Sequence, residues 1–315
     1  MTPTKVLVTG AAGFIGSAVV RQLALLGFQV VAIDGLLGGL YPNNEKAKRF
    51  REIATIPGVE VLELDLRTSD LDQLPPDISH VINQAAMPGL GLSWSNFDLY
   101  ATCNISALAR LIERAQEWKL ERFIQISTSS VYGKSAVGDE SLETGPVSPY
   151  GATKLAAEHL ALAHWRDSSL PVTILRYFSV YGPGQRPDMA YRKFISSALH
   201  GVEIDKYGSG NQSRSNTYID DCVDATISAL SRSQPGEVYN IAGSSEHSLN
   251  EALDLIALHT GKELNITAHP AARGDQLRTF GDSTKAQNAL GFRNSVDLNE
   301  GLRRQVEWQV QSGLV

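Results

Sequence analysis

Lys5-Val6-Leu7-Val8-Thr9-Gly10-Ala11-Ala12-Gly13-Phe14-Ile15-Gly16 is the stretch whose reading decides the fold. The run Lys5 to Thr9 is short, apolar and rich in β-branched residues, and apolar residues recur at helical spacing from Phe14 to Leu26. The glycines therefore lie between a buried strand and a helix. Each has its own task. Gly10 permits the tight turn, Gly13 lets the backbone approach a pyrophosphate, and Gly16 lets the helix pack against the strand. Free N–H groups of the first helical turn, at Phe14 and Ile15, then face the phosphates. A second buried strand, Phe28 to Ile33, ends at Asp34, roughly twenty residues past the turn, where a carboxylate accepts hydrogen bonds from an adenosine ribose. Gly35, Leu36 and Leu37 follow, with no Arg to receive a 2′-phosphate, so the pattern points to NAD rather than NADP.

Outward from this unit the alternation continues. Gly39 to Glu52 reads as a loop running into a charged helix without a recognisable motif. Val59 to Leu64 is a strand, and Asp65-Leu66-Arg67 falls where the adenine edge lies in such a sheet, although a strand-end carboxylate facing water is an equal reading. His80 to Ala86 is a fourth strand, and small Ala85 and Ala86 at its end leave room for a nicotinamide ribose. A helix carrying Asn104, Leu108 and Leu111 precedes the strand Arg122 to Ser127. The fold class is α/β, a doubly wound parallel sheet of Rossmann type, with ligands at the carboxyl edge. Thr128, Ser129 and Ser130 sit at that edge. Tyr150 and Lys154 stand four apart in a helix from Tyr150 to Asp167, so phenol and ammonium share a face, the pattern of an acid/base tyrosine.

After a sixth strand, Val172 to Arg176, the segment Tyr181-Gly182-Pro183-Gly184-Gln185-Arg186-Pro187-Asp188 breaks the pattern and the chain leaves the sheet. A smaller C-terminal α/β substrate lobe is expected there. It has a helix at Tyr191 to Leu199, a strand at Asn216 to Ile219, a helix opened by Asp220 and Asp221, and a helix at Glu251 to Thr260 capped by Ser248 or Asn250. A last helix is capped by Asn299. The strand Glu237 to Ile241 returns to the sheet. Residues 1–180, with 218–245 returning, form the expected cofactor domain, and 181–217 with 246–315 the substrate lobe.

Composition narrows the partners. A chain of 315 residues, 43% hydrophobic, buries a large core, and a net charge of −6 without a basic block argues for a small molecule over nucleic acid or an anionic membrane. Cys103 and Cys222, the only cysteines, are far apart and in no metal-ligand spacing. They read as buried or idle thiols in a reducing compartment, and no metal site is expected. Glycines interrupt the apolar run after Lys5 too early for a signal peptide, and no apolar run has membrane-spanning length, so a cytoplasmic protein is expected.

Gly10-Ala11-Ala12-Gly13-Phe14-Ile15-Gly16, the Thr128 row and the Tyr150–Lys154 pair together resemble the extended short-chain dehydrogenase/reductase family, nearly end to end, and within it the nucleotide-sugar epimerases. Thr128-Ser129-Ser130-Val131-Tyr132-Gly133 and Arg176-Tyr177-Phe178-Ser179-Val180-Tyr181-Gly182-Pro183-Gly184-Gln185-Arg186-Pro187-Asp188-Met189 look most like the UDP-glucuronate 4-epimerase branch. The resemblance implies an NAD reduced and reoxidised in each turnover, with Tyr150 as base, Lys154 on the cofactor ribose and Thr128 on the sugar hydroxyl. It further implies cofactor contacts from Asn104, Tyr177 and Val180, and UDP-sugar contacts from Pro88, Ser129, Ser130, Ser179, Arg186, Arg214 and Asp275. A homodimer through the helices that follow Tyr100 and Ser148 is also implied. The chain departs from the family pattern at Ser179, where many epimerases carry Asn, and at Gly91, where uronate epimerases carry Arg. Arg214 is followed by Ser215-Asn216 instead of an acid and an aromatic, and Arg273-Gly274-Asp275 is one residue off the usual Arg-x-Gly-Asp.

The expected reaction is 4-epimerisation of a UDP-sugar, UDP-glucuronate to UDP-galacturonate, through a transient 4-keto sugar. Lowering a tyrosine from about 10 to about 7 requires roughly 4 kcal/mol, which a cation about 4 Å away supplies at an effective dielectric near 20. The family's dehydratases carry Asp and Glu where this chain has Ser129 and Ser130, and its uronate decarboxylases carry Glu at the Ser130 position. Hydroxyls of Thr128, Ser129, Ser130 and Ser179, with Arg186, are therefore expected to hold a carboxylate away from decarboxylation. Gly91 favours the alternative of a UDP-glucose or UDP-N-acetylglucosamine 4-epimerase. Asp34 opposes a 4-ketoreductase using external NADPH, and a redox-silent dinucleotide sensor has no need of Tyr150 and Lys154.

Overall fold

The computed structural model describes residues 4–271 and 276–313. The elements in chain order begin β1 (Lys5–Thr9), α1 (Phe14–Leu25), β2 (Gln29–Asp34), α2 (Asn44–Ala54), β3 (Val59–Glu63) and β4 (His80–Asn83). Next come α3 (Leu90–Ser93), α4 (Phe97–Ala101), α5 (Ala107–Ala115), β5 (Arg122–Thr128), β6 (Ser135–Gly138), α6 (Pro149–Ser168), β7 (Val172–Tyr177) and β8 (Val180–Tyr181). The remainder runs α7 (Ala190–His200), β9 (Ile204–Tyr207), β10 (Ser213–Ser215), β11 (Thr217–Tyr218), α8 (Ile219–Arg232), β12 (Val238–Ile241), β13 (Glu246–Ser248), α9 (Leu249–Thr260), β14 (Ile266–His269), β15 (Arg278–Gly281), α10 (Thr284–Leu290) and α11 (Leu298–Gln311).

Seven strands form one parallel sheet in the order β12-β7-β5-β4-β1-β2-β3. Strand alternation fills both faces. Val6 and Val8 point to a core shared with α1 and α8 through Val19, Leu23, Cys222 and Ala225. Leu7 points the other way, to a core with α5 and α6 through Leu108, Leu111, Ala157 and Ala161. Burial on both faces is why these strands read as continuous apolar runs. Strand order reverses between β1 and β4, and their carboxyl ends are in register at Thr9 and Asn83, which opens the crevice where doubly wound sheets bind ligands.

A second sheet, β13-β10-β15-β6, differs from the sequence expectation, because β6 follows β5 yet pairs with β15. The strand expected from Asn216 to Ile219 is two short pieces, β10 and β11, with Asn216 between them and Ile219 already in α8. Strands β9 and β14 pair in parallel at the rim and carry too little apolar pattern to be read in advance. Ser248 caps α9 in a reciprocal capping box with Glu251. Asp297, not Asn299, caps α11, since its carboxylate accepts from the Glu300 N–H and the helix starts one residue later, at Leu298. Among the described residues no helix is long and apolar enough to cross a membrane, and no cluster of His, Cys, Asp or Glu is arranged to hold a metal ion. Both cysteines are buried free thiols.

Candidate active site

The turn after β1 is built as its glycines require. Gly10 has φ +65°, and a Cβ there would lie 2.9 Å from the Ala85 backbone. A Cβ on Gly16 would lie 2.2 Å from the Gly10 carbonyl, so Gly16 serves packing of α1 onto its own turn. No side chain caps α1 at Gly13, and its N-terminus opens into the crevice beside Phe14 and Ile15. Asp34 ends β2, and its two carboxylate oxygens accept from the Ala12 N–H at 3.0 Å and the Leu36 N–H at 2.8 Å. Those bonds fix the carboxylate's orientation while leaving lone pairs for a ribose. Burial raises its pKa, opposed by nearby Lys46 and by these N–H donors. A glycine cradle that excludes Cβ atoms, followed by an oriented acid, fits a dinucleotide.

One continuous crevice along the carboxyl edge gathers most of the expected residues. Gly10, Gly13, Phe14, Ile15, Gly16, Asp34, Asp65, Leu66, Ala85, Ala86, Pro88, Thr128, Tyr150, Lys154, Tyr177, Ser179, Val180 and Arg186 all line it. Asp65 accepts from Arg67 at 2.7–3.1 Å, which holds its carboxyl below the usual carboxylate range. Tyr177 presents its ring, since its hydroxyl pairs with Thr226 Oγ1 at 2.6 Å.

Four expected contacts lie elsewhere. Asn104 sits in a π-helical turn, Thr102–Ser106, and clamps the Met87 backbone and Thr153 Oγ1, so it supports the crevice from behind. Ser129 is buried with its hydroxyl donating to Gln276 Oε1 at 3.3 Å, away from the crevice. Ser130 Oγ accepts from Thr128 Oγ1 at 3.3 Å and so reaches the crevice only through Thr128. Arg214 donates to the Ser213 and Gln276 carbonyls and is not part of the crevice wall. The four-hydroxyl carboxylate clamp expected from sequence thus reduces to Thr128 and Ser179 on the wall. The physical reason is that Ser129 and Ser130 enter a 3₁₀ turn, Ser129–Tyr132, which rotates successive side chains off the sheet edge. Asp275, with Arg273 and Gly274, lies outside the described residues.

The acid/base centre is assembled by α6. Ser148 caps the helix, its hydroxyl accepting from the Gly151 N–H at 3.1 Å, and Pro149 at the first position starts the turn that carries Tyr150. A Cβ on Gly151 would sit 2.6 Å from the Ser130 carbonyl, so glycine is what lets α6 close on the Thr128 loop. Tyr100 packs edge-on against Tyr150, ring centroids 6.3 Å apart, and its own hydroxyl donates to the Pro88 and Gly89 carbonyls. Burial raises the Tyr150 pKa, while a hydrogen bond from Thr128 and the charge of Arg186 pull it down. Lys154 Nζ donates to the Ile126 carbonyl at 2.6 Å, and burial lowers its pKa to about 8 against the pull of Glu158. Arg186 thus adds a cation near the phenol that the Tyr150–Lys154 spacing alone did not reveal. Arg186 is itself held by Asp188 at 2.8 and 2.9 Å.

Tyr41, Lys46, Gln84 and Met87 also line the crevice without having been singled out, and so does Cys103, which the sequence reading left as an idle thiol. Lys46 stands beside Asp34 and donates to the Leu37 carbonyl at 2.7 Å. The one signal for it was the spacing of Lys46 and Arg49 on a charged helix directly after the Asp34 loop.

The model of the NAD dependent epimerase/dehydratase family matches residues 6–242. An uncharacterized UDP-glucose epimerase of Bacillus subtilis (strain 168), YtcB, is 36% identical over 96% of this chain and 97% of its own. A UDP-glucuronate 4-epimerase of Thermodesulfobacterium geofontis is 32% identical over 97% and 96% respectively. The crystal structure of UDP-glucuronic acid 4-epimerase from Bacillus cereus with UDP-glucuronic acid and NAD superposes with a TM-score of 0.94, at 38% identity, over 98% of this chain and all of that one.

Proposed function

The chain belongs to the NAD dependent epimerase/dehydratase family, and we propose that it interconverts UDP-glucuronate and UDP-galacturonate by inversion at C4 through a transient 4-keto sugar. The observation that carries the reading is Tyr150, half-buried in the wall of a dinucleotide crevice with Thr128 and Arg186 acting on its phenol. When bound, NAD accepts the C4 hydride and returns it. Gly10, Gly13 and Gly16 with the α1 N-terminus hold its pyrophosphate, Asp34 its adenosine ribose, and Lys154 its nicotinamide ribose. Tyr150 takes the proton from the 4-hydroxyl and gives it back, the Thr128 hydroxyl turning from Ser130 to donate to the phenolate oxygen. Arg186 favours the phenolate by charge and faces the carboxylate of a uronate.

Ser129 and Ser130 in place of carboxylic acids leave no general acid beside Thr128 to drive elimination or decarboxylation. Residues 181–217 and 246–315 supply the nucleotide-sugar lobe. The helices that follow Tyr100 and Ser148 form the contact of a homodimer. The buried free thiols Cys103 and Cys222 suit a cytoplasmic enzyme.

A second reading, UDP-glucose as substrate, is favoured by Gly91, whose surroundings are open within 4 Å, and by the likeness to YtcB. Incubation with UDP-glucuronate tests the first. UDP-galacturonate as the product, abolished by Tyr150→Phe, is the expected result, and a pentose product or higher turnover of UDP-glucose overturns it.

A further inference from the structure

Behind the crevice, α6 grips the end of β5 at three consecutive residues. Tyr150 meets Thr128, Lys154 Nζ donates to the Ile126 carbonyl, and Glu158 accepts a short hydrogen bond from the Ser127 hydroxyl. These three helix residues are spaced four apart and share one face. Glu158 and Lys154 are only 2% and 4% exposed. Buried carboxylates are seldom found without a partner, and here the partner is Arg176 on β7, whose Nε and Nη2 donate to both Glu158 oxygens at 2.6–3.2 Å. Arg176 Nη1 donates in turn to the Tyr132 hydroxyl at 2.8 Å, and that hydroxyl donates to Asn240 Oδ1 at 2.8 Å. Ser127 and Lys154 line the crevice, whereas Glu158, Arg176, Tyr132 and Asn240 are buried behind it, and the chemistry above makes no use of these four.

We propose that Glu158 is a positioning residue that acts through Lys154: it supplies the anion that keeps the lysine ammonium charged inside the protein, while Arg176 and Ser127 fix that anion and the strand end that presents Thr128. The inference rests on the Tyr150–Lys154 reading of the site. Burial of a lysine favours its neutral form, and a neutral lysine neither orients a ribose by charge nor supports a phenolate. On its own helix Lys154 stands one turn from Tyr150 and from Glu158, Glu158 being the charge that acts on it, and Arg176 on β7 reaches it through Glu158. Glu158 is the one that favours the ammonium, and Arg176 opposes it from behind Glu158.

The two partners therefore have opposite signs. Glu158→Gln removes the favourable charge and leaves Arg176, so Lys154 loses its proton at lower pH. Arg176→Gln leaves Glu158 uncompensated, so Lys154 keeps its proton to higher pH. An opposite charge nearby moves a pKa by about 1–3 units, so Glu158→Gln should lower the midpoint by about one pH unit or more, and Arg176→Gln, acting from behind Glu158, should raise it by less.

The direct readout is an NMR titration of Lys154 in protein carrying carbon-13 at lysine Cε, the signal assigned by its loss in Lys154→Met. The alkaline limb of kcat with UDP-glucuronate should follow the same midpoint. Opposite shifts support the proposal. Shifts in the same direction, or an unmoved midpoint, overturn it and leave the pair as fold support only. Should an unpaired charge prevent either single variant from folding, Glu158→Gln/Arg176→Gln removes both members of the ion pair together. Its midpoint should lie below the parent's, and an unmoved one is equally fatal. The titration needs no turnover, so absence of UDP-glucuronate epimerisation by the parent refutes the proposed reaction without deciding the role of Glu158.

Discussion

Thr128→Val removes the hydroxyl that hydrogen-bonds to Tyr150 while keeping a β-branched side chain at the end of β5, so the strand and its pairing with β7 persist. Burial drives the Tyr150 phenol upward, and Thr128 and Arg186 oppose it. A hydrogen bond to a charged group contributes about 1.5–3 kcal/mol, which is about 1–2 pKa units. The phenolate is the active form. Raising the phenol's pKa therefore removes activity at low pH and returns it as pH rises through the new value. Below the limb the loss is about 10–100-fold, and above it the variant approaches the parent. The assay is the pH profile of kcat for interconversion of UDP-glucuronate and UDP-galacturonate, with the tyrosinate absorbance of Tyr150, by difference from Tyr150→Phe, as a check. A loss of equal size at every pH, with no movement of the acid limb, refutes the claim that Thr128 tunes the phenol and leaves it as a sugar contact alone.

Other changes act on separate parts of the site. Ser179 adopts φ +35°, a backbone that Asn tolerates better than Ser; Ser179→Asn should raise the thermal midpoint by about 1–2 °C in calorimetry. In Asp34→Asn one amide group is set against the N–H donors of Ala12 and Leu36, and NAD retained through purification should bind about 10–100-fold more weakly by equilibrium titration. Because the space around Gly91 is open, Gly91→Arg should fold like the parent. It should raise kcat/KM for UDP-glucuronate relative to UDP-glucose about 10-fold, and an unchanged ratio would show that this position does not read the carboxylate.

Much of this architecture is legible in the residues because its signals are local. A glycine turn needs particular backbone angles, a doubly buried strand needs a continuous apolar run, and Tyr150 and Lys154 need only helical spacing to share a face. What escaped reading is non-local. Whether Ser129 faces a ligand depends on a 3₁₀ turn and on Gln276, far along the chain. β6 is short, and its partner β15 lies far along the chain. Lys46 follows a loop without pattern, and only folding brings it to Asp34. Glu158 looks like any helix acid until Arg176 arrives from β7. Charge pairing across elements has no sequence period, so it is found in the fold and not in the spacing.

The central claim is that the same hydride leaves C4 and returns to it while Tyr150 shuttles the proton. UDP-glucuronate carrying deuterium at C4 tests this directly, with product and label followed together by NMR and mass spectrometry. The expected product is UDP-galacturonate with the deuterium still on C4 and no net consumption of cofactor. Loss of the deuterium to solvent, or a pentose product, contradicts the account.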